Sequence, residues 1–284
     1  MFIPRKFVEE KLKQILAEDI GQGDVTSEAV IPANLSVEAV VLAKEAGVVA
    51  GIKETAIFAE SLGLRAKMEV ADGDEIKSGM VIMKISGNAR TILSAERTLL
   101  NLLSRMSGIA SVTRRLTEKL RKANLTVKVA ATRKTAIGLL YFDKKAVVIG
   151  GGDPHRLRLD DMILIKDNHI AIIGGVEKAV KKAMAYGSGK KIEVEVTSTG
   201  DAVKAAEAGA DVVMLDNFSP QQVRQAVEAL KKAGFFGKVL LEVSGGITEQ
   251  NLLDYASTQV DIISMGALTH SVKALDISLE ISAP

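Results

Sequence analysis

The chain has 284 residues, no cysteine and no tryptophan, and 37 basic against 35 acidic side chains for a net charge of +2. Without cysteine there is no disulfide, iron–sulfur cluster, zinc–thiolate centre or thiol nucleophile, and the near-neutral balance argues against a general nucleic-acid binder, which carries a net basic surface. A hydrophobic content of 47% and a charged content of 25% are those of a globular protein, and the length predicts one large domain plus a smaller one.

Met1 to Leu16 mixes Arg5, Lys6, Glu9, Glu10, Lys11 and Lys13 among apolar residues and predicts an amphipathic helix; a signal peptide would need an uninterrupted apolar centre. No run approaches the ~18 apolar residues of a membrane span, so a cytoplasmic protein without a membrane partner is expected. Glu18 to Pro32 is turn-rich, with Gly21, Gly23 and Asp24 as breakers. Ser36–Ala43 alternates as a strand, Lys53–Leu62 suits a helix ended by Gly63, and Arg65–Val70 and Val81–Ile85 read as strands on either side of a turn at Asp72, Gly73 and Asp74. Ser94–Leu120 is a long helical stretch in which Leu99, Leu102, Leu103 and Met106 keep helical spacing, with Gly108 as a candidate kink.

From there the rhythm changes. Short apolar runs at Thr126–Ala131, Ala146–Gly150, Met162–Ile165, Ile192–Val196, Val212–Leu215, Val239–Val243 and Val260–Met265 alternate with helical stretches. The clearest of these are Val176–Tyr186, Gly200–Ala208, Pro220–Ala233 and Glu249–Tyr255. Near-continuous apolar strands separated by helices imply a buried parallel sheet, and seven such units without a dinucleotide fingerprint favour an α/β barrel over an open doubly wound sheet.

In such barrels chemistry gathers at the C-terminal ends of the strands. Thr132, Arg133, Lys134 and Thr135 follow the first run. Gly151, Gly152, Asp153, Pro154, His155 and Arg156 follow the second, and Lys166, Asp167, Asn168 and His169 the third. Glu195 ends the fourth, Asp216 and Asn217 follow the fifth, Ser244, Gly245 and Gly246 the sixth, and Gly266 the seventh. Singly, each has an ordinary reading: a solvated loop pair for Arg133 and Lys134, a turn for the glycines, a helix cap for Asp216. Lys166 at an enclosed strand end admits a Schiff-base role. Within IEVEV, either Glu193 or Glu195 is expected to point into the barrel, where an unpaired carboxylate is costly. Taken together, Arg133, Lys134, Arg156 and Lys166 suit a polyanionic substrate. Glu195 and Asp216 suit Mg²⁺, and SGGI with SMG suits a cradle of backbone N–H groups for phosphate. This combination points to an enzyme acting on a phosphorylated, multiply anionic substrate with a divalent metal.

The strings AERTLLNLLSRMSGIAS, ATRKT, GGGDPHR, ILIKDNH, EVEV, VMLDN, EVSGGI and DIISMGALTHS, in this order and covering nearly the whole chain, resemble the quinolinate phosphoribosyltransferase family. Two departures stand out. Ile137 and Leu140 occupy places where the family often has the proline and arginine of PGLR, and Pro154 stands where Asn often precedes HR. The resemblance implies an α/β fold, with an N-terminal α/β sandwich domain over residues 1–110, joined by the C-terminal tail 267–284, and an open seven-stranded α/β barrel over residues 111–266. It implies transfer of phosphoribosyl from phosphoribosyl pyrophosphate to quinolinate with decarboxylation. The products are nicotinate mononucleotide, pyrophosphate and carbon dioxide.

Carried over residue by residue, Arg97, Arg133, His155, Arg156 and Lys166 bind quinolinate. Lys134 neutralises pyrophosphate, Glu195 and Asp216 serve the ribose cation directly or through Mg²⁺, and Ser244, Gly245, Gly246 and Gly266 hold the ribose 5-phosphate. The family implies a homodimer in which Arg97 enters the partner's site. Three other readings stay open at this stage. One is a related nicotinate-type phosphoribosyltransferase, which needs fewer cations. The second is a Schiff-base aldolase using Lys166, and the third a non-catalytic anion binder.

Overall fold

The structure, a computed structural model, describes residues 4–281; the ends of the expected N-terminal helix (1–3) and C-terminal tail (282–284) lie outside the described residues. In chain order the elements are α1 (Arg5–Ile20), α2 (Val25–Val30), β1 (Ser36–Ala43), β2 (Gly47–Val48), α3 (Ile52–Ser61), β3 (Arg65–Met68), β4 (Glu75–Ile76), β5 (Val81–Asn88), α4 (Ala89–Lys122), β6 (Lys128–Ala130) and α5 (Leu140–Ile149). They continue with β7 (Ile163–Ile165), α6 (Asp167–Ile173), α7 (Val176–Ala185), β8 (Ile192–Val196), α8 (Thr199–Glu207), β9 (Val212–Asp216), α9 (Pro220–Lys232), β10 (Leu240–Ser244), α10 (Leu252–Ala256), β11 (Ile262–Ser264), α11 (Ala267–His270) and β12 (Ile277–Ile281).

Two compact units result. The first takes the chain up to Arg114, Ala136–Gly151 and the chain from Ser271; the second takes Arg115–Thr135 and Gly152–His270. The first unit is built on an antiparallel sheet in the order β12-β1-β5-β3. Ala39, Val41 and Ala43 alternate inward along β1, the period-two signature of a sheet with one wet face. Helix α3, which buries Phe58, packs on β3, and α1, which buries Val8, Leu12 and Leu16, packs on α3. Gly108 does not kink α4, which stays helical over 34 residues. Its reason is a close approach: a Cβ at 108 would overlap the carbonyl oxygen of Lys273 and stand 3.1 Å from Ala274 Cα. The C-terminal segment is pinned there by Leu275 N–H donating to Ser104 O at 2.9 Å.

The second unit is a six-stranded, all-parallel sheet in the order β6-β11-β10-β9-β8-β7. The expected seventh strand, Ala146–Gly150, is instead the last turn of α5 and belongs to the first unit. Four apolar residues cannot tell helix from strand by periodicity. Here Phe142 and Ala146, one helical turn apart, are both buried, and Arg114 donates to the end carbonyls of Ile149 and Gly150 at 3.1 and 3.4 Å. The sheet is extended beyond β6 only by a one-residue parallel bridge, Ala130 to Asp153. Two residues on from that bridge, His155 reaches Glu193 on β8 and Glu242 on β10. The sheet is therefore curled into an open α/β barrel. Its amphipathic α9 buries Val223, Ala226, Val227 and Leu230, an i, i+3, i+4, i+7 stripe.

Candidate active site

A cavity of about 490 Å³ opens at the C-terminal strand ends of the second unit. Among its walls are Arg133, Lys134, His155, Arg156, Lys166, Glu195, Asp216, Ser244, Gly245 and Gly246, all singled out from sequence. Two expected residues stand elsewhere. Gly266 lies behind the wall, where a Cβ would sit 3.3 Å from Lys134 Cδ and closer still to His270. Arg97 belongs to the first unit, exposed on α4, and forms no ion pair with Glu96 among the described residues.

The local chain explains each placement. Lys134 closes a tight turn: its N–H donates to Thr132 Oγ1 at 3.1 Å, and its carbonyl accepts from Thr269 Oγ1 at 2.8 Å. Lys166 precedes α6, where its N–H donates to His169 Nδ1 at 3.0 Å, and its ammonium is ion-paired with Glu195. Asp216 ends β9, and burial together with the charge of Glu195 raises its carboxyl above the ordinary carboxylate range. Burial, with the nearby charge of Arg133, lowers the Arg156 guanidinium from its ordinary value.

Beneath the cations lies a network that the sequence reading missed. Glu193 and Glu195 are two apart on β8 and face the same side. The expectation that one or the other points into the barrel is thus corrected to both: Glu195 lines the cavity and Glu193 is fully buried behind it. Glu242 repeats the pattern two residues before Ser244 on β10. It is also fully buried, and accepts a hydrogen bond from Ser264 Oγ. His155 Nε2 stands 3.1 Å from Glu193 Oε2 and 3.3 Å from Glu242 Oε2. Burial works against charging the ring, but the two carboxylates outweigh it and raise His155 to about 9. Burial and the charge of Glu242 raise Glu193, against the pull of His155. The three side chains are close enough together to hold a metal ion. The cluster is a buried ion group in which the charge on His155 offsets part of that of the two carboxylates.

A wall of cations this dense has no use for a neutral ligand; together with strand-end carboxylates on an open barrel it defines an enzyme of the α/β-barrel class for polyanionic substrates. The N-terminal domain of quinolinate phosphoribosyl transferase matches residues 24–107, and its C-terminal domain matches residues 109–280. The chain therefore belongs to the quinolinate phosphoribosyltransferase family. It is 46% identical over 271 residues to a probable carboxylating nicotinate-nucleotide pyrophosphorylase of Methanothermobacter thermautotrophicus, covering 95% of this chain and 97% of that one. The corresponding probable enzyme of Archaeoglobus fulgidus is 48% identical over 259 residues, 91% of this chain and 98% of its own. In three dimensions the chain is similar to NadC from Streptococcus pyogenes, with a TM-score of 0.90, 36% identity and 99% of each chain covered.

Proposed function

We infer that this chain transfers the phosphoribosyl group of phosphoribosyl pyrophosphate to quinolinate with loss of carbon dioxide, yielding nicotinate mononucleotide and pyrophosphate, a step of de novo NAD synthesis. The observation that carries the reading is the cation set around one cavity, Arg133, His155, Arg156 and Lys166, in a chain whose two domains both match the family. Quinolinate has two adjacent carboxylates, and arginine forks give each an oriented, bidentate contact. A monocarboxylate such as nicotinate would leave part of this set unpaired.

With the ring held there, its nitrogen faces the ribose C1 as the bond to pyrophosphate breaks. Glu195 and Asp216 stabilise the positive charge that develops on the ribose. Lys134 meets the departing pyrophosphate, and Ser244, Gly245 and Gly246 hold the 5-phosphate through backbone N–H groups, with Gly266 behind them. Ribosylation makes the ring nitrogen cationic. The bond from C2 to its carboxylate then breaks, its electron pair stays on C2, C2 takes a proton and carbon dioxide leaves. The chain needs no organic cofactor for that step.

Glu195 and Asp216 also fit Mg²⁺. They offer hard oxygen donors in one cavity, and the Asp216 carboxyl, raised by burial and then by the charge of Glu195, is one whose ionised form a divalent cation would favour. Bound there, Mg²⁺ would neutralise pyrophosphate charge. The exposed Arg97 completes the quinolinate site from a partner subunit in a homodimer. A chain without cysteine suits a reducing compartment such as the cytoplasm, and no helix among the described residues is long and apolar enough to cross a membrane. The test is a product assay with quinolinate, phosphoribosyl pyrophosphate and Mg²⁺. Nicotinate mononucleotide and carbon dioxide should form in equal amounts, and equal kcat/KM for nicotinate would overturn the dicarboxylate reading.

A further inference from the structure

Asn217 sits at the junction of the two halves of the cavity. It follows β9 directly and adopts a left-handed backbone, φ 58°, a conformation that non-glycine residues enter at a cost and asparagine enters most readily. The chain on both sides is fixed. Asp216 is in register with Ser244 at the end of the β9–β10 ladder, and Phe218 is buried. Ser219 caps α9 in a reciprocal arrangement with Gln222. Of the two residues between strand and helix cap, Asn217 is the one whose left-handed backbone turns the chain.

Its polar atoms reach in three directions. The backbone N–H donates to Ser244 O at 2.8 Å, carrying the strand ladder one step past its end. The side-chain Nδ2 donates to Asp216 Oδ2 at 2.7 Å. The remaining face lies against Gly245, whose own φ is 96°. A Cβ there would overlap Asn217 Oδ1 and stand 2.7 Å from its Cγ and 2.9 Å from its backbone N. One side chain therefore touches the carboxylate at the ribose end of the cavity and the glycine loop at its phosphate end.

We propose that Asn217 is a positioning residue that couples Asp216 to the Ser244–Gly246 loop and so sets the span between the ribose carbon under attack and the 5-phosphate. This rests on the phosphoribosyl-transfer reading given above. Without the amide, Asp216 loses a neutral donor and the loop loses the surface it packs on. Arg133 and Arg156, assigned to quinolinate, lie on loops that follow β6 and the Asp153 bridge and stay as they are.

The test is Asn217→Gly, which keeps the left-handed backbone at no steric cost while deleting the amide, alongside Asn217→Asp, which keeps the shape but sets a carboxylate against Asp216. Binding of phosphoribosyl pyrophosphate and of quinolinate is measured separately by calorimetry, and KM and kcat for each substrate by turnover. Loss of one hydrogen bond to a charged group predicts roughly a 10- to 100-fold weaker affinity for phosphoribosyl pyrophosphate in both variants, with quinolinate binding within about two-fold of the parent. Parental phosphoribosyl pyrophosphate binding in Asn217→Gly overturns the proposal, as does an equal loss for both substrates. Should Asn217→Asp fail to fold, Asn217→Gly decides alone; should Asn217→Gly fail, its collapse despite a relaxed backbone assigns the residue a purely structural role and overturns the proposal. A parent chain that binds phosphoribosyl pyrophosphate but makes no nicotinate mononucleotide refutes the functional reading, and the binding comparison still decides on Asn217.

Discussion

Replacing Glu242 by glutamine should strip His155 of part of its charge. In the parent chain burial opposes the imidazolium, yet Glu193 at 3.1 Å and Glu242 at 3.3 Å raise the ring from 6.5 to about 9. At roughly 1.4 kcal/mol per pH unit, that difference favours the charged ring by about 3 kcal/mol. Because the folded-state value lies above the unfolded one, the stabilisation from His155 is complete below pH 6.5 and is lost as the pH rises from there through about 9. Glu193 runs the other way: burial raises its carboxyl, so ionising it costs the fold and limits what the cluster contributes. The chain has three histidines, so an imidazole NMR titration resolves each ring once His169→Gln and His270→Gln assign the others. His155 should titrate near pH 9, and Glu242→Gln should bring it down by about one unit or more, because one of two opposing charges is gone while the burial remains. A parent midpoint near that of a free imidazole, or an unmoved midpoint in Glu242→Gln, would refute the buried ion cluster.

Other outcomes follow from the same structure. EDTA should abolish turnover and Mg²⁺ or Mn²⁺ restore it, while Asp216→Asn should lower kcat more than it weakens quinolinate binding; full activity in EDTA removes the metal from the reading. Mixing inactive Arg97→Ala and Lys166→Ala chains after dissociation and reassociation should return roughly a quarter of wild-type activity, because half the dimers are mixed and each carries one intact site if the site is shared across a two-fold axis. Mixed dimers without regained activity place Arg97 outside the partner's site. Gly108→Ala should cost roughly 1–3 kcal/mol in stability, read from thermal unfolding, since the new methyl group meets the Lys273 backbone rather than a side chain that can move.

Most strands of the two larger sheets were legible because burial writes itself into the sequence, whereas β12, at the edge of the first sheet, was not read. Ser36–Ala43 alternates and is a one-faced antiparallel strand, whereas Val212–Leu215 is apolar throughout and is buried on both faces. The failures share a cause: a residue type was read without its partner. Asp24 reads as a breaker, but it starts α2 by accepting the Ser27 N–H at 3.0 Å, and the Ser27 spacing was the available signal. Gly108 reads as a kink because the chain segment that needs its missing side chain lies more than 160 residues further on.

The site divides along the same line. Its rim was legible, since polar groups recurring after strand after strand are visible without knowing which strands are neighbours. Its floor was not. Glu242 sits in EVSGGI just as Glu193 sits in IEVEV, each two residues before a cavity residue and therefore on the same face. That rule places both acids inside the barrel from sequence alone. What it cannot supply is the cation that makes two buried carboxylates tolerable. His155 follows an edge bridge at one end of the sheet and reaches strands near its middle and its far side only because the sheet curls. The cluster is a consequence of barrel curvature, and it in turn makes His155 a cation where an isolated imidazole would be largely neutral at physiological pH. The charge on His155 thus offsets part of the floor of acids, which would otherwise set two unpaired carboxylates beneath an anion-binding cavity.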